Sequence, residues 1–542
     1  MEDLSFVFKN AQFEFSGVKF SVMLHGFINA YSLDPDCVES VCDGDTLTIQ
    51  CSGLLCRGGQ EPVAGHATIV AKKLEKAVTL DIEAIVGNAA EEIRCAKLSI
   101  HNAPRGRVIN LIDSRPREIP PQGMVLRYPE GWRDVGTPLL ILDCEDGLHY
   151  YRSHDTRVQE KRFSFVNRQD GSLDTELIFE PAATEMARFI TVPTWELGMG
   201  DSVEEIYAPH IAHIEKAYNL PVWEEREDVP DWARKISLVA SIHCMHWTGY
   251  IFNTYDQVLE HLKQLAAMIE PERILAYLPG WEGRYYYQYG DYRPEPLLGG
   301  AEGFKRLCDG AKELGIHVMP MFGINYASIH HAGYEAWGKP SKFMGPTSHD
   351  GLTYTDFDAS RHYDIGYHRN LNPAAPRWQN RLVNQTHALI DQFGFEGAFY
   401  DISAVWVNDS SHELYPGTIE LVRRIREGHP ELLIGGEGWY DGTMVPFPLI
   451  QAGHTDGRMN YHDAAYAPIL DKYARGFGHL CLGDPSRLSC GVHELGHNPE
   501  WRTPLRKGCI PTVTIVDGTM EKALDRVQMI VDDAKEYARL YL

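Results

Sequence analysis

Residues 274–322 read ILAYLPGWEGRYYYQYGDYRPEPLLGGAEGFKRLCDGAKELGIHVMPMF, and this stretch indicates the fold of the larger part of the chain. Two apolar runs, Ile274–Leu278 and Ile316–Phe322, flank a segment with helical spacing at Ala301–Leu314. The apolar runs are continuous rather than alternating, which predicts strands that are buried on both faces. Buried strands joined by a helix are typical of a parallel sheet.

The same order of strand and helix continues on both sides of this stretch. The predicted strands are Ile236–Ile242, Ile274–Leu278, Ile316–Phe322, Ala398–Ile402, Leu432–Gly435, Arg458–Tyr461, His479–Gly483 and Pro511–Val516. The predicted helices between and after them include Tyr255–Met268, Ala301–Leu314, Gln379–Phe393, Gly417–Glu427 and Met520–Leu540. Eight such units, with no glycine-rich phosphate turn after the first strand, favour a (β/α)₈ TIM barrel over residues 236–542.

Residues 1–200 carry a different pattern. The run Ala77–Val86, AVTLDIEAIV, alternates between apolar and polar residues, and similar short runs follow one another with Gly, Asn and Asp between them. Many short strands without intervening helices predict an antiparallel β-sandwich. Residues 201–235 are predicted to be a helical linker between the two domains. The expected fold class is therefore a multidomain chain, a sandwich followed by a barrel.

The composition limits the partners that the chain can have. Lys and Arg total 51 against 75 Asp and Glu, which gives a net charge of −24 that repels nucleic acid and anionic lipid. The first residues, MEDLSFVFKN, lack the apolar core of a signal peptide, and no apolar run reaches the roughly 20 residues of a membrane span. The 11 cysteines have no metal-binding spacing and indicate reduced thiols. These features predict a cytoplasmic protein.

Two acidic residues end predicted barrel strands, where the active site of a barrel lies. Asp401 ends the fourth strand and Glu437 ends the fifth. Adjacent strands are about 4.8 Å apart, so two inward carboxylates at one height would be about 5 Å apart, the separation of retaining glycosidases. The structural alternative is that Asp401 caps the following helix and Glu437 forms an ion pair. We predict that both are catalytic.

Other polar and aromatic residues follow the strands as well. Sugar rings present C–H faces that pack on aromatic side chains, and their hydroxyl groups need hydrogen-bond partners. The residues predicted to bind substrate are His243, His246, Trp247, Trp281, Asp291, Asn325, Tyr400, Trp439, His454 and Asp456. The expected partner is an oligosaccharide or glycoside, with no cofactor, no metal, no nucleic acid and no membrane.

Three segments resemble the barrels of retaining α-glycoside hydrolases. They are residues 274–321, the run LNPAAPRWQNRLVNQTHALIDQFGFEGAFYDIS at 371–403, and LLIGGEGWYDG at 432–442. The resemblance is to the endo-α-N-acetylgalactosaminidase, dextranase and α-galactosidase-like group, and it covers residues 236–465. It implies that Asp401 is the nucleophile and Glu437 the acid/base. The third acid of the more distant α-amylases has no clear match, although Asp456 is a candidate.

One motif favours another chemistry. His493–His497 reads HELGH, which matches the HExxH pattern of zinc hydrolases. That chemistry needs both histidines on one helical turn, but Cys490-Gly491 precedes the motif and Asn498-Pro499 follows it, which leaves little room for a helix. A zinc-dependent hydrolase stays open as an alternative, as does a carbohydrate-binding pseudoenzyme. Transfer of the glycosyl group to a sugar instead of water is also open.

Overall fold

The computed structural model describes residues 9–109, 116–131, 135–246, 249–346, 368–454, 468–479, 505–516 and 518–542. The chain forms two compact units. The first comprises Met1–Glu130, Asp134–Asn219 and Asn408–Ser410, and the second comprises Gly131–Arg133, Leu220–Val407 and Ser411–Leu542.

The first unit is an antiparallel β-sandwich of two nine-stranded sheets. Its strands are β1 Phe13–Phe15, β2 Val18–Gly26, β3 Ala30–Leu33, β4 Val38–Asp43, β5 Thr46–Cys51, β6 Leu54–Cys56, β7 Glu61–Val63, β8 Gly65–Lys73, β9 Ala77–Val86, β10 Ile93–His101, β11 Gly106–Ile109, β12 Pro116–Arg117, β13 Met124–Tyr128, β14 Leu139–Cys144, β15 Gly147–Ser153, β16 Lys161–Asn167, β17 Leu173–Phe179 and β18 Phe189–Gly200. One sheet runs β13-β16-β17-β10-β2-β3-β6-β7, with β1 on β2, and the other runs β12-β11-β14-β15-β18-β9-β8-β5-β4. Phe163 and Trp195 meet between the sheets with ring centroids 5.7 Å apart.

The alternating pattern correctly predicted an antiparallel fold of short strands, although several of the strands were not recognised. In β9 the side chains of Val78, Leu80 and Ile82 are buried, as the period of two requires. One of the similar short runs, Phe13–Phe20, was expected to be a single strand and is instead a hairpin of β1 and β2, because Ser16 and Gly17 have φ of 50° and 80°, the conformation of a two-residue turn. The helix α1, Val203–Tyr218, starts at Ser202, whose side chain accepts a hydrogen bond from the Glu205 N–H, and it belongs to this unit.

The second unit is the (β/α)₈ barrel that the sequence predicts. Its strands are β19 Leu238–Ile242, β20 Ile274–Leu278, β21 His317–Gly323, β24 Gly397–Asp401, β25 Leu433–Glu437, β26 Leu449–His454, β27 Arg475–His479, β28 Cys509–Ile510 and β29 Thr512–Ile515, and a separate hairpin consists of β22 Tyr326–Ser328 and β23 His368–Asn370. Every barrel pair is parallel. The eighth strand is split at Pro511, which has no N–H to donate. Its first half pairs with β27 and its second half pairs with β19.

Helices follow the barrel strands. They are α2 Tyr255–Ala266, α3 Gly300–Leu314, α4 Tyr334–Trp337, α5 Pro376–Phe393, α6 Leu414–Arg426, α7 Pro468–Tyr473, α8 Thr519–Lys522 and α9 Leu524–Tyr541. α2 begins with a capping box, in which Thr254 and Gln257 satisfy each other's backbone N–H groups. The predicted helix Met520–Leu540 is broken at Ala523. Among the described helices, none has the length and apolarity needed to cross a bilayer.

The sequence located the later strands less well. The sixth strand is β26, whose sequence LIQAGH mixes Gln and Gly into the apolar run and was not recognised. The predicted strand Arg458–Tyr461 lies outside the described residues. The seventh strand, β27, ends at His479, where the predicted strand was expected to begin.

Candidate active site

Asp401 and Glu437 end two neighbouring barrel strands at the same height. In the parallel pair β24 and β25, Tyr400 lies opposite Gly436, so the next residue of each strand is an acid. Asp401 is 7% exposed. The two carboxyl groups are hydrogen-bonded to each other. The structure therefore brings the two predicted catalytic residues together at the carboxyl mouth of the barrel.

The backbone between them holds the pair in place. Ile402 has φ of 59°, a left-handed conformation that is strained for a β-branched residue. This turn lets the Ile402 N–H donate a hydrogen bond of 2.9 Å to Oε2 of Glu437. The side-chain amide of Asn325 donates to the Ile402 carbonyl at 3.1 Å. Asn325, predicted to bind substrate, thus lies directly beside the acid pair.

A tyrosine that was not among the predicted site residues is hydrogen-bonded to the acid pair. The hydroxyl of Tyr289 donates a hydrogen bond of 2.6 Å to Oδ2 of Asp401. The tyrosine is fully buried, and its ring lies over the end of β21, where a Cβ on Gly323 would be 2.0 Å from the ring. The available signal was the tyrosine-rich loop GRYYYQYGD after the second strand, which opens onto the mouth of the barrel.

The environment separates the proton affinities of the two acids. Burial raises the pKa of Glu437 well above its ordinary value, and the charge of Asp401 and the hydrogen bond between them raise it further. Burial also raises the pKa of Asp401, but the hydrogen bonds from Glu437, Tyr289 and the Ile402 backbone oppose that rise. The larger rise is that of Glu437, so these effects favour the shared proton on Glu437 over Asp401.

A third acid, Glu282, is buried in the loop after β20. The residue is 1% exposed, and among the described residues no other residue forms a hydrogen bond with either carboxyl oxygen. Burial raises its pKa well above the ordinary value; its own backbone N–H opposes this rise, and the charge of Asp401 adds a smaller rise. Nothing in the spacing of the sequence identified this residue, because it follows a tryptophan and a glycine in an irregular segment.

The two predicted histidines lie after β19 and are both buried. The rings of His243 and His246 each meet Phe252 edge-on, with centroids 6.1 Å apart. Burial, together with the neighbouring His246, lowers the pKa of His243 to about 3, so this ring is neutral at physiological pH. A neutral imidazole has one donor and one acceptor nitrogen, the pattern that suits a sugar hydroxyl.

Several other predicted binding residues have different surroundings. Trp281 is fully buried, stacks on Phe304 with centroids 4.8 Å apart, and donates its ring N–H to the Met321 carbonyl. The Tyr400 hydroxyl is hydrogen-bonded to Thr386 of α5. These two aromatic side chains therefore pack between the barrel and its helices and are not grouped with the acid pair.

The remaining predicted residues include one half-exposed acid, one buried tryptophan and several residues that are not described. Asp291 is half-exposed, with Arg293 and Arg381 each 3.9 Å away. Trp439 is buried directly after β25, and its backbone N–H donates to the Gly131 carbonyl. His454 ends β26, and its side chain is not described. Three predictions fall outside the described residues: Trp247, Asp456 and the HELGH segment at His493–His497.

Only one group of described side chains is placed to hold a metal ion. Cys144, Asp146 and His149 offer three ligand atoms within 4.8 Å of one another. They lie on the hairpin of β14 and β15 in the sandwich unit. The acid pair of the barrel is not part of such a group.

Neither a protein-family model nor a curated protein matches the sequence. The fold, however, matches solved structures. The α-N-acetylgalactosaminidase NagBb from Bifidobacterium bifidum, in its GalNAc complex, aligns with 97% of this chain and 93% of its own, at a TM-score of 0.65 and 14% identity. A variant of the GH36 α-galactosidase AgaA from Geobacillus stearothermophilus, in complex with raffinose, aligns with 96% of this chain and 76% of its own, at a TM-score of 0.51 and 10% identity. The chain shares the sandwich-and-barrel fold of these α-glycosidases.

Proposed function

We propose that the protein is a glycoside hydrolase that cleaves an α-linked sugar with retention of anomeric configuration. The observation that carries this proposal is the buried, hydrogen-bonded pair of Asp401 and Glu437 at the mouth of the barrel. Retaining enzymes need two carboxyl groups about 5–5.5 Å apart, one ionised and one protonated. Carboxyl groups in hydrogen-bond contact are closer to this separation than to the separation of about 6.5–9.5 Å in inverting enzymes, which supports the proposal of retention.

In the first step Asp401 is the nucleophile. One of its oxygens attacks the anomeric carbon, the bond from that carbon to the glycosidic oxygen breaks, and the proton of Glu437 passes to the departing oxygen. The Tyr289 hydroxyl stabilises Asp401 in its ionised form before the attack, because it donates to Oδ2. The step leaves a glycosyl ester on Asp401 and an ionised Glu437.

In the second step Glu437 acts as a base. It removes a proton from water, the oxygen of the water attacks the anomeric carbon, and the ester bond to Asp401 breaks. Both carboxyl groups return to their starting protonation states, so the two proposed steps require no cofactor. A sugar hydroxyl in place of water would give transfer by the same route. The retained configuration follows from two successive inversions at the same carbon.

The sugar is proposed from the neighbouring structures. NagBb is described as an α-N-acetylgalactosaminidase and AgaA as an α-galactosidase. We infer that this chain also acts on an α-linked sugar. Aryl α-galactosides and aryl α-N-acetylgalactosaminides are therefore the first substrates to test, followed by other aryl α-glycosides.

The decisive experiment combines turnover with labelling. Purified protein is incubated with the panel of aryl α-glycosides, and the anomer first released is identified by NMR. A 2-fluoro glycosyl fluoride of the preferred sugar should then esterify Asp401, which peptide mass spectrometry locates. A label on another carboxylate, or release of the inverted anomer, contradicts the proposal. Stoichiometric zinc in the active protein would favour a hydrolase based on His493 and His497, and sugar binding without turnover would favour a pseudoenzyme.

A further inference from the structure

Glu282 has an unusual position for an acid. It follows the end of β20 by four residues and is 1% exposed, and no other residue in the described part of the chain forms a hydrogen bond with either carboxyl oxygen. The preceding residue, Trp281, is fixed by its bond to the Met321 carbonyl on β21 and by its stacking on Phe304 of α3. Protein contacts thus hold the backbone at this point, whereas no other described residue forms a hydrogen bond with the carboxyl group.

An acid that stabilised the fold would have partners. Glu196 in the sandwich unit is buried to a similar extent, and hydrogen-bond donors surround its carboxylate. Its partners are Tyr150, Arg152 and His154. Burying a polar group without such partners costs free energy, so Glu282 weakens the folded state instead of stabilising it. That cost is recovered only if a ligand supplies the missing hydrogen bonds.

The site of that ligand is beside the acid pair. Glu282 lies in the loop after β20 that also carries Tyr289, whose hydroxyl donates to Asp401 at 2.6 Å. The charges of Asp401 and Glu282 also interact, which raises the pKa of Glu282. A carboxyl group that stays protonated has one O–H to donate and a carbonyl oxygen to accept. A sugar hydroxyl, itself both donor and acceptor, matches it, whereas a cation would require an ionised carboxylate.

We propose that Glu282 determines specificity by hydrogen-bonding one hydroxyl group of the sugar that is held next to Asp401. This inference rests on the proposed function, because it takes the ligand at Asp401 to be a glycoside. It assigns to Glu282 the recognition of the sugar and no part in bond cleavage. Binding sites built to hydrogen-bond a hydroxyl discriminate strongly against analogues that lack it, because buried polar groups are then left unpaired.

The test compares Glu282→Leu and Glu282→Gln with the wild-type protein on the best nitrophenyl α-glycoside and on its monodeoxy analogues. On the parent glycoside we expect Glu282→Leu to lower kcat/KM about 100-fold relative to the wild type. On one monodeoxy analogue, the one that lacks the hydroxyl bound by Glu282, the variant and the wild type should have nearly the same kcat/KM. Glu282→Gln, which can still donate and accept, should recover about tenfold of that loss. An equal loss on every analogue overturns the proposal.

Thermal unfolding separates this role from a structural one. The Tm of Glu282→Leu should rise, because an apolar side chain replaces a buried acid that has no partner. Glu196→Leu is the matched control: it should lower Tm by leaving the buried Arg152 unpaired, and it should leave the preference among the monodeoxy analogues unchanged. A fall in Tm for Glu282→Leu with a uniform loss of activity would identify Glu282 as structural.

Failure of the proposed function gives a different result. If the wild-type protein cleaves no nitrophenyl α-glycoside, the proposed function fails, and binding of galactose and N-acetylgalactosamine is measured by calorimetry. Binding by the wild type that is lost in Glu282→Leu would retain Glu282 as a sugar ligand. Equal binding by both proteins, or binding by neither, overturns the inference as well.

Discussion

The hydroxyl of Tyr289 donates a hydrogen bond of 2.6 Å to Oδ2 of Asp401 inside the mouth of the barrel. Both side chains are buried, so the bond is not weakened by competing water. The contact favours the ionised form of Asp401, whereas burial alone would favour the neutral form. A buried carboxylate kept ionised beside a protonated one is the state that a retaining glycosidase needs before substrate is cleaved.

Asp401→Asn keeps the size of the side chain and removes the charge that forms the glycosyl ester in the proposed mechanism. The rate of glycoside hydrolysis should fall by at least about three orders of magnitude, equivalent to about 4 kcal/mol in the barrier. The Tm should hold or rise, because the wild-type acid is buried beside a second acid. Steady-state kinetics and thermal unfolding measure the two effects.

Asp533→Asn is the control for this substitution. Asp533 lies on α9 of the same unit and is 7% exposed, the same fraction as Asp401. Its replacement should leave the rate of hydrolysis within about twofold of the wild-type rate, because a residue that is not part of the acid pair does not contribute to the activation barrier. Unfolding of Asp401→Asn would show that Asp401 is structural, and near-normal turnover would remove it from the mechanism.

Glu437→Gln removes the proton donor and the base together. Glycosides with poor leaving groups should lose far more activity than activated aryl glycosides, because only the former need protonation of the departing oxygen. Azide should partly restore turnover of the activated substrate, since it attacks the glycosyl ester without a base. Equal loss on both kinds of substrate, with no effect of azide, would indicate a structural role for Glu437.

The pH profile of kcat/KM should be bell-shaped, with limbs that belong to the acid pair as a unit. Activity should fall at low pH as Asp401 is protonated, and this limb should lie above the ordinary range of aspartate because burial raises the pKa of Asp401. Activity should fall at high pH as Glu437 loses its proton, also above the ordinary range of glutamate. In Glu437→Gln the alkaline limb should disappear, and its persistence would assign that limb to another group.

The position of the acid pair could be predicted because it depends on strand periodicity. Asp401 and Glu437 end continuous apolar runs, and the carboxyl ends of parallel barrel strands meet at one mouth regardless of the loop conformations. The eight-stranded barrel followed from the same repeat, and the structure confirms it. The strand LIQAGH at Leu449–His454 was missed because its polar and glycine residues interrupt that repeat.

The loop residues could not be predicted in this way. The loop that carries Tyr289 and Glu282 packs closely against the neighbouring strand ends, and the hydrophobic periodicity of the sequence gives no information about such loop contacts. Gly280 shows the constraint, because a Cβ at this position would be 1.9 Å from the Met245 carbonyl oxygen. For Trp281 the sequence places the ring after a strand end but does not say whether it faces the helices or the mouth.

Gly323 tests whether the loop that carries Tyr289 sets the charge of Asp401. A methyl group at this position would overlap the Tyr289 ring, whose Cδ2 lies 2.0 Å from the Cβ position, so Gly323→Ala must displace the ring. We expect Gly323→Ala to reproduce the effect of Tyr289→Phe: about tenfold lower kcat and an acid limb moved to higher pH, because Asp401 loses the donor that favours its ionised form. Both quantities come from one series of pH-rate measurements.

The two changes act on one hydrogen bond, so their effects should not add. In the double variant, kcat and the acid limb should match the more severe of the two single variants. Gly310→Ala on α3 is the control, because the three atoms nearest to its methyl group all belong to the flexible side chain of Leu259, the first at 2.8 Å. Its pH profile should be that of the wild type. Additive losses, or an acid limb that does not move in Tyr289→Phe, would mean that Tyr289 orients the substrate and leaves the ionisation of Asp401 to the Ile402 N–H and Glu437.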